Sequence, residues 1–479
     1  MQTSAERPEI KKLLVILGGG ESGVGAAVLG QARGYDVFLS DKGTLQPAHR
    51  AALTAAGIAF EEGGHTESRV LAADEIIKSP GIPPTVPLLV AARAKGIAIT
   101  SEIGFGARYT RARLIGITGT NGKTTTTLLT HHLLQQAGYR AALAGNVGQS
   151  LAGQVAREDV EPVDYYVVEL SSFQLEDTAE PLRPFAGALL NITSDHLDRY
   201  NNEFERYAAA KVRLADGMFE RNHFVFNLDD HGIRNHFPEA LFGGTKSTFS
   251  MRRPSLTHHP CAWYEPDELR AYFSLPGTDG PSRSISLANS PLLGQHNQQN
   301  ILAALLLAGL VGVTDEHLES GLATFQNADH RLQPVGEVDG VRYLNDSKAT
   351  NVEAAWFALD GIPAHAEHRI VWIAGGTDKG NDYASLQRLA HHKVRALVCL
   401  GADNSKLRAA FGDVVPIIIE THTMADAVAE ARRLAQPGDV VLLSPCCASF
   451  DLFCNYEDRG RQFTDAVTGM RHPSAADER

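Results

Sequence analysis

The stretch Leu114-Ile115-Gly116-Ile117-Thr118-Gly119-Thr120-Asn121-Gly122-Lys123-Thr124-Thr125 begins as an apolar strand, turns on glycines and enters helix-like sequence that runs from Thr124 to Gln136. Phosphate binding needs this order of elements. Glycines let backbone N–H groups converge on phosphate oxygens, and the helix N-terminus adds partial positive charge. The lysine reaches the outer phosphates, and the following hydroxyl can ligate Mg²⁺. Gly119, Thr120, Asn121, Gly122, Lys123, Thr124 and Thr125 are therefore candidate nucleotide-phosphate ligands. The usual motif has a glycine six residues before the lysine; here Ile117 stands there, flanked by Gly116 and Gly119, so the loop is a variant. A strand, a phosphate loop and a helix in this register belong to a parallel α/β sheet.

The same alternation extends in both directions. Upstream, strands are expected at Leu13–Leu17, Asp36–Leu39, Glu75–Lys78 and Gly96–Thr100, with a helix at Ala26–Arg33. Downstream, strands are expected at Asp164–Leu170, Ala188–Ile192 and His223–Asn227. Between about Gly243 and Asn289 the sequence is rich in Pro, Ser, Thr and Gly and reads as small antiparallel strands or loops. Helices follow at Asn297–Leu310 and Glu316–Phe325. A change of character near Ala328–Pro334 precedes a third alternating stretch with strands at Ile370–Ala374, Ala396–Leu400 and Asp439–Leu443. A chain of 479 residues, at about 150 per domain, accommodates three domains. Boundaries are expected at 1–102, 103–327 and 328–479, all α/β, the first and last Rossmann-like and the middle one of P-loop ATPase type.

A net charge of −12 without a basic block argues against nucleic acid or anionic membrane as partners and favours small molecules. The hydrophobic share of 43% suits globular domains. Five cysteines, odd in number and without CxxC spacing, suit reduced thiols. The polar N-terminal residues lack a signal-peptide core, and no apolar run approaches the roughly 20 residues that cross a bilayer. A cytoplasmic protein, and a monomer, is expected. The adjacent histidine pairs His131-His132, His258-His259 and His391-His392 lack ligand spacing and read as surface residues.

Three further features carry chemistry. Glu169 ends the apolar run Tyr165-Tyr166-Val167-Val168, where a carboxylate can hold a metal beside a phosphate loop; it could also simply mark solvent. Asp195-His196 follows another strand directly, at the strand end where α/β sites gather. Finally, Gly18-Gly19-Gly20-Glu21-Ser22-Gly23 satisfies GxGxxG, and Asp41 comes 18 residues later at the end of the next strand. That fingerprint serves NAD or any other nucleotide diphosphate.

Taken together, these residues resemble the Mur ligases. The likeness runs through Gly116–Thr124, Glu169-Leu-Ser-Ser-Phe-Gln-Leu-Glu176, Asn191-Ile-Thr-Ser-Asp-His-Leu-Asp-Arg-Tyr200, Gly294-Gln-His-Asn297 with Asn300, Asn345-Asp-Ser-Lys-Ala-Thr-Asn351 and Leu443-Ser-Pro-Cys-Cys-Ala-Ser449, in order along essentially the whole chain. Ser171–Leu175 and Asp346–Thr350 point to the D-glutamate-adding branch. The resemblance implies ATP-dependent amide synthesis: the carboxylate of UDP-N-acetylmuramoyl-L-alanine is phosphorylated, and the acyl phosphate is attacked by D-glutamate. It also implies two Mg²⁺ ions, one held by Thr124 and Glu169, the other by His196 and Lys211, with Lys211 carbamylated. ATP's base and ribose would meet Asn297, Asn300, Arg331 and Asp346; the alternative reading of the two asparagines from local pattern is helix capping. The UDP end would meet Gly20, Glu21, Ser22, Asp41, Lys42, Gly81 and Asn146. D-glutamate would meet Lys348, Thr350, Lys379, Ser449 and Tyr456. The catalytic set implied is Lys123, Glu169, His196, Lys211 and Lys348. Two departures stand out: Tyr456 replaces an expected Phe, and Cys446-Cys447 an expected Ala-Cys.

Competing readings are a sister ligase adding another amino acid, a nucleotide-binding regulator that has lost catalysis, and a nicotinamide-dependent dehydrogenase. Retention of Lys123, Glu169, His196 and Lys211 together argues against the second. The phosphate loop, which hydride transfer does not use, argues against the third.

Overall fold

The computed structural model describes residues 11–195, 197–239, 242–254, 260–277, 283–292, 294–362 and 370–471. Three sheets follow one another along the chain. The first comprises β1 (Leu13–Leu17), β2 (Asp36–Ser40), β3 (Ala59–Glu61), β4 (Glu75–Lys78) and β5 (Ala98–Ser101), all parallel in the order β3-β2-β1-β4-β5. Successive side chains point to opposite faces, so Leu14 and Ile16 enter one core and Val15 and Leu17 another. Both layers are fully buried, which is why β1 reads as an unbroken apolar run.

The second sheet contains β6 (Arg113–Thr118), β7 (Ala141–Gly145), β8 (Tyr165–Glu169), β9 (Ala186–Leu189), β10 (His223–Asn227), β11 (Thr245–Ser250), β12 (Cys261–Glu265), β13 (Arg270–Phe273) and β14 (Arg283–Ser286). Its order is β14-β13-β12-β11-β10-β9-β6-β8-β7. The segment from Gly243 to Asn289, expected as small antiparallel strands or loops, is antiparallel only in part. β11 and β12 continue the parallel sheet outward from β10, and only the pairings of β13, with β12 and with β14, are antiparallel. The third sheet holds β15 (Gln333–Val338), β16 (Val341–Asn345), β17 (Ile370–Gly375), β18 (Val394–Leu400), β19 (Ile417–Thr421) and β20 (Val440–Cys446), ordered β15-β16-β20-β17-β18-β19. It is parallel except for the β15–β16 hairpin.

The chain divides into two compact units. One takes the chain up to Asn289 together with Gln299–Thr324 and contains the first two sheets; the other comprises Ser290–Gln298 and the chain from Phe325 onward. None of the five cysteines forms a disulfide, and all but Cys454 are buried. No described helix is long and apolar enough to cross a membrane. His131 and His132 are half-buried rather than on the surface: His131 meets the Ala141 carbonyl and His132 the Thr324 hydroxyl. His391 and His392 are exposed, and His258-His259 lie outside the described residues.

Within the first unit, Glu102 begins the short helix Glu102–Ala107 and is buried. Its Oε1 accepts from the Ser150 hydroxyl and the Ala152 N–H, both at 2.6 Å. Burial outweighs those bonds and raises its pKa to about 7. Because the folded value lies above the unfolded one, the folded protein holds this proton through a window in which the unfolded chain has lost it. The stability it contributes is complete below the ordinary carboxylate range and falls as pH rises toward 7. Glu102→Gln supplies the same acceptor without the titration. Urea unfolding of the two proteins at pH 5 and pH 8 is expected to favour the Gln variant at the higher pH by about 2–3 kcal/mol more than at the lower. An equal difference at both pH values contradicts the buried acid.

Candidate active site

β6 lies between β8 and β9, with Ile117 opposite Glu169 and Thr118 opposite Leu189. This register brings three strand ends to one level: the glycine loop after β6, Glu169 at the end of β8, and Asn191–Asp195 after β9. The loop's polar groups are held from the β9 side. Asn191 accepts from the Asn121 N–H through its side chain at 2.8 Å, and its amide donates back to the Asn121 carbonyl at 3.1 Å. Thr120 Oγ1 donates to the Thr193 carbonyl at 3.1 Å, accepts from the Thr193 N–H at 3.0 Å, and lies 3.0 Å from the Tyr207 hydroxyl. Gly122 then caps the helix Lys123–Gln136 in a left-handed conformation, φ +83°. A Cβ there would stand 2.2 Å from Asn300 Oδ1. Only glycine fits.

Two lysine side chains meet in this loop. Lys123 Nζ donates to the carbonyls of Gly119 at 2.9 Å and Thr120 at 2.8 Å, and Lys211 Nζ donates to the same Gly119 carbonyl at 2.7 Å. Lys211 sits in the last turn of the helix Phe204–Val212 and is 2% exposed. Burial, and then the charge of Lys123, hold its pKa well below the usual lysine range, against the opposing pull of Asp195 and Glu169. Glu169 is buried. Its Oε1 accepts from the Asn146 amide at 2.8 Å, while Oε2 has no hydrogen-bond partner among the described residues. A buried carboxyl oxygen without a donor suits a hard cation. Thr124 at the start of the helix and a carboxylated Lys211 would complete oxygen donors of the kind Mg²⁺ takes. His196 lies outside the described residues.

Asn146 and Glu169, expected to serve different ligands, thus bond to each other. Around the GxGxxG turn, the first helix starts at Glu21 rather than near Ala26, so Glu21 and Ser22 form its opening turn. Both Asp41 oxygens receive backbone N–H groups, from Gly19 at 2.5 Å and Gly43 at 2.6 Å, which pins the turn to the end of β2. Glu21 accepts from the Ser150 N–H at 3.1 Å. Lys42, Gly20 and Gly81 are exposed. The Gly81 loop is fixed from below by buried Lys78, which donates to the Ile82 carbonyl at 2.8 Å and pairs with Asp177 at 2.5 Å. Arg199 reaches the Pro80 carbonyl at 2.9 Å.

Asn297 and Asn300 lie inside the helix Gln295–Val311, both buried, so neither is its cap. In the second unit, Asp346 follows β16, accepts from Ser444 Oγ at 2.9 Å and the Leu332 N–H at 3.1 Å, and is raised by burial to about 7. Lys348 Nζ stands 3.5 Å from the centre of the Tyr456 ring, so the tyrosine in place of phenylalanine keeps a cation–π face. Thr350 is half-buried, Ser449 is buried and Lys379 is exposed on the turn after β17. Sequence reasoning missed Asn191, Thr193 and Tyr207 as supports of the loop, and it missed Arg459. Arg459 was detectable as a charge on the apolar stripe Tyr456, Arg459, Phe463, Val467 of the last helix.

Strand-end loops that present cations, a buried carboxylate and a phosphate-binding turn define a nucleotide-dependent enzyme. Residues 14–88 match the MurD N-terminal domain, 117–308 the Mur ligase middle domain, and 330–447 the glutamate ligase domain of Mur ligases. The UDP-N-acetylmuramoylalanine–D-glutamate ligase of Christiangramia forsetii is 43% identical over 459 residues, covering 96% of this chain and 100% of its own. That of Bacteroides fragilis is 45% identical over 467 residues, covering 95% and 99%. Among solved structures, UDP-N-acetylmuramate–alanine ligase from Thermotoga maritima shares the fold, with TM-score 0.58, 17% identity and coverage of 96% and 99%. A MurF ligase from the same organism, solved in complex with ADP, gives 0.58 at 16% identity, covering 91% of this chain and 96% of its own. The chain belongs to the Mur ligase family. Within that family it falls with the D-glutamate ligases, the two relatives above covering 95–96% of it.

Gly122→Ala tests the loop. A left-handed alanine costs about 1–2 kcal/mol before the clash with Asn300 is counted. Titration with a non-hydrolysable ATP analogue is expected to show at least about a tenfold loss of affinity with an unchanged circular dichroism spectrum. Unchanged affinity contradicts the phosphate-binding role.

Proposed function

We propose that this protein joins D-glutamate to UDP-N-acetylmuramoyl-L-alanine with cleavage of ATP to ADP and phosphate, a step of peptidoglycan precursor synthesis carried out in the cytoplasm by a monomer. The supporting observation is the convergence of the phosphate loop, Glu169 and Asn191–Asp195 at three adjacent parallel strand ends, in a chain of which 96% matches a D-glutamate ligase. The three functional regions are assigned as 1–102 for the UDP-sugar, 103–327 for ATP and 328–479 for the amino acid.

In the first step a carboxylate oxygen of the substrate's alanine attacks the γ-phosphorus of ATP, and the bond from that phosphorus to the bridging oxygen breaks. Two anions must approach each other, so the site has to supply positive charge. Lys123, released from the loop carbonyls of Gly119 and Thr120, turns to the phosphates. Gly119, Thr120, Asn121, Gly122, Thr124 and Thr125 line them, and Asn297, Asn300, Arg331 and Asp346 serve the base and ribose. Mg²⁺, when bound, neutralises phosphate charge and polarises the γ-phosphoryl group. Thr124 and Glu169 would hold one ion, His196 and Lys211 a second. A plain lysine would repel it, whereas a carbamate on Lys211 exchanges a cation for an anion. In the second step the free amine of D-glutamate attacks the acyl phosphate carbon, loses a proton, and the tetrahedral intermediate expels phosphate. Lys348, Thr350, Lys379, Ser449 and Tyr456 present cations and donors to the two carboxylates of D-glutamate. Gly20, Glu21, Ser22, Asp41, Lys42, Gly81 and Asn146 serve the UDP end.

Phosphate release is expected to require ATP, UDP-N-acetylmuramoyl-L-alanine and D-glutamate together, and to disappear in Lys123→Ala, which forfeits charge-assisted contacts worth about 1.5–3 kcal/mol each. An active Lys123→Ala enzyme contradicts the loop assignment. Isotopically labelled bicarbonate is expected to give a carbamate carbonyl NMR signal in the wild type and none in Lys211→Met. A spectrum without that signal in the wild type contradicts the modification.

A further inference from the structure

Arg459, in the helix Tyr456–Arg471, is 1% exposed, and among the described residues no carboxylate lies within ion-pair distance of it. Its guanidinium donates instead to backbone carbonyls and one hydroxyl. Nε reaches Ser347 Oγ at 3.0 Å, and Nη2 the Ser347 carbonyl at 2.9 Å. Both Nη atoms reach the Cys447 carbonyl at 3.2 Å. Nη1 also approaches the carbonyls of Gly375 at 3.4 Å and Ala448 at 3.5 Å. These acceptors belong to three different loops, which leave the adjacent strands β16, β17 and β20 at their C-terminal ends.

The surrounding details fit a clamp. Ser347, itself fully buried, passes the contact on by donating to the Tyr456 carbonyl at 2.9 Å. The β17 and β20 loops are stitched together by reciprocal bonds between Thr377 and Ala448, at 2.8 and 3.2 Å. Gly376 lies against the guanidinium with φ +127°; a Cβ there would meet the Ala448 carbonyl oxygen at 2.1 Å and Arg459 Nη1 at 3.2 Å. A planar fork with five donors can bridge three loops at once, which a lysine's single ammonium cannot.

We propose that Arg459 is the positioning residue of the amino-acid pocket: one buried guanidinium sets the relative placement of the three loops that carry Lys348 and Thr350, Lys379, and Ser449, together with the helix turn that carries Tyr456. The proposal rests on the assignment of those residues to D-glutamate. Arg459 itself touches no substrate and acts through the loop backbones.

The test is steady-state kinetics of Arg459→Lys and Arg459→Ala, with each substrate varied in turn. Misplacing pocket groups by about an ångström costs on the order of a hundredfold. The lysine variant is expected to raise KM for D-glutamate at least about tenfold, leaving KM for ATP and for the UDP-sugar within about twofold. Millimolar guanidinium, but not methylammonium, is expected to restore part of the alanine variant's activity, a recovery that a general loss of stability would not show. A folded Arg459→Lys enzyme with wild-type KM for D-glutamate overturns the clamp, and this outcome does not depend on whether the alanine variant folds. Lys379→Ala separates the two levels. If it raises KM for D-glutamate while Arg459→Lys does not, the clamp is wrong and the pocket stands; if it leaves that KM unchanged, the pocket assignment is wrong and the proposal falls with it.

Discussion

The carbonyl oxygen of Gly119 accepts hydrogen bonds from two lysines, Lys123 and Lys211, and the chemistry of the site follows from that shared acceptor. Two lysine nitrogens converge on one oxygen at the end of β6, where burial and the charge of Lys123 disfavour a second ammonium, beside a Glu169 oxygen that has no hydrogen-bond partner among the described residues. Such a place attracts polyanions and divalent cations and disfavours a neutral ligand. It exists because β6 pairs in parallel with both β8 and β9, so that the glycine loop, the carboxylate and the Asn191 segment leave their strands at the same level.

Each sheet faces the same difficulty at its functional end. Loops that leave strands carry N–H and C=O groups that no neighbouring strand satisfies, and those groups must find partners. The first sheet uses an anion, Asp41, whose two oxygens collect the N–H groups of Gly19 and Gly43. The second uses an amide, Asn191, which both accepts from and donates to Asn121. The third uses a cation, Arg459, which collects carbonyls. The choice follows the backbone group on offer: a phosphate-type turn exposes N–H groups, whereas the loops after β16, β17 and β20 turn their carbonyls inward.

The parallel α/β class was legible because β1, β6, β8 and β17 are buried on both faces and appear as continuous apolar runs. Strands at the margins were harder. β3, β7, β15 and β19 went unmarked because they are short or part-exposed, with mixed patterns such as Ala59-Phe60-Glu61 and Gln333–Val338. β11 and β12 read as small antiparallel strands or loops rather than as parallel strands because parallel pairing joins residues far apart in sequence and leaves no local signature. Of the site, the phosphate loop and Glu169 were readable from spacing. Lys211 carried no local signal that it was buried, since Ala209-Ala210-Lys211 suits a helix surface equally well. Asn191 and Arg459 act on backbone groups of distant loops, a role that residue type alone does not reveal.

The central claim is that this ligase adds D-glutamate, and it is tested most directly by competition. D-glutamate, L-glutamate, L-alanine and diaminopimelate are supplied together with ATP, Mg²⁺ and UDP-N-acetylmuramoyl-L-alanine. The mass and stereochemistry of the product are then determined. The account predicts a single product containing D-glutamate; incorporation of any of the other three in its place would contradict it.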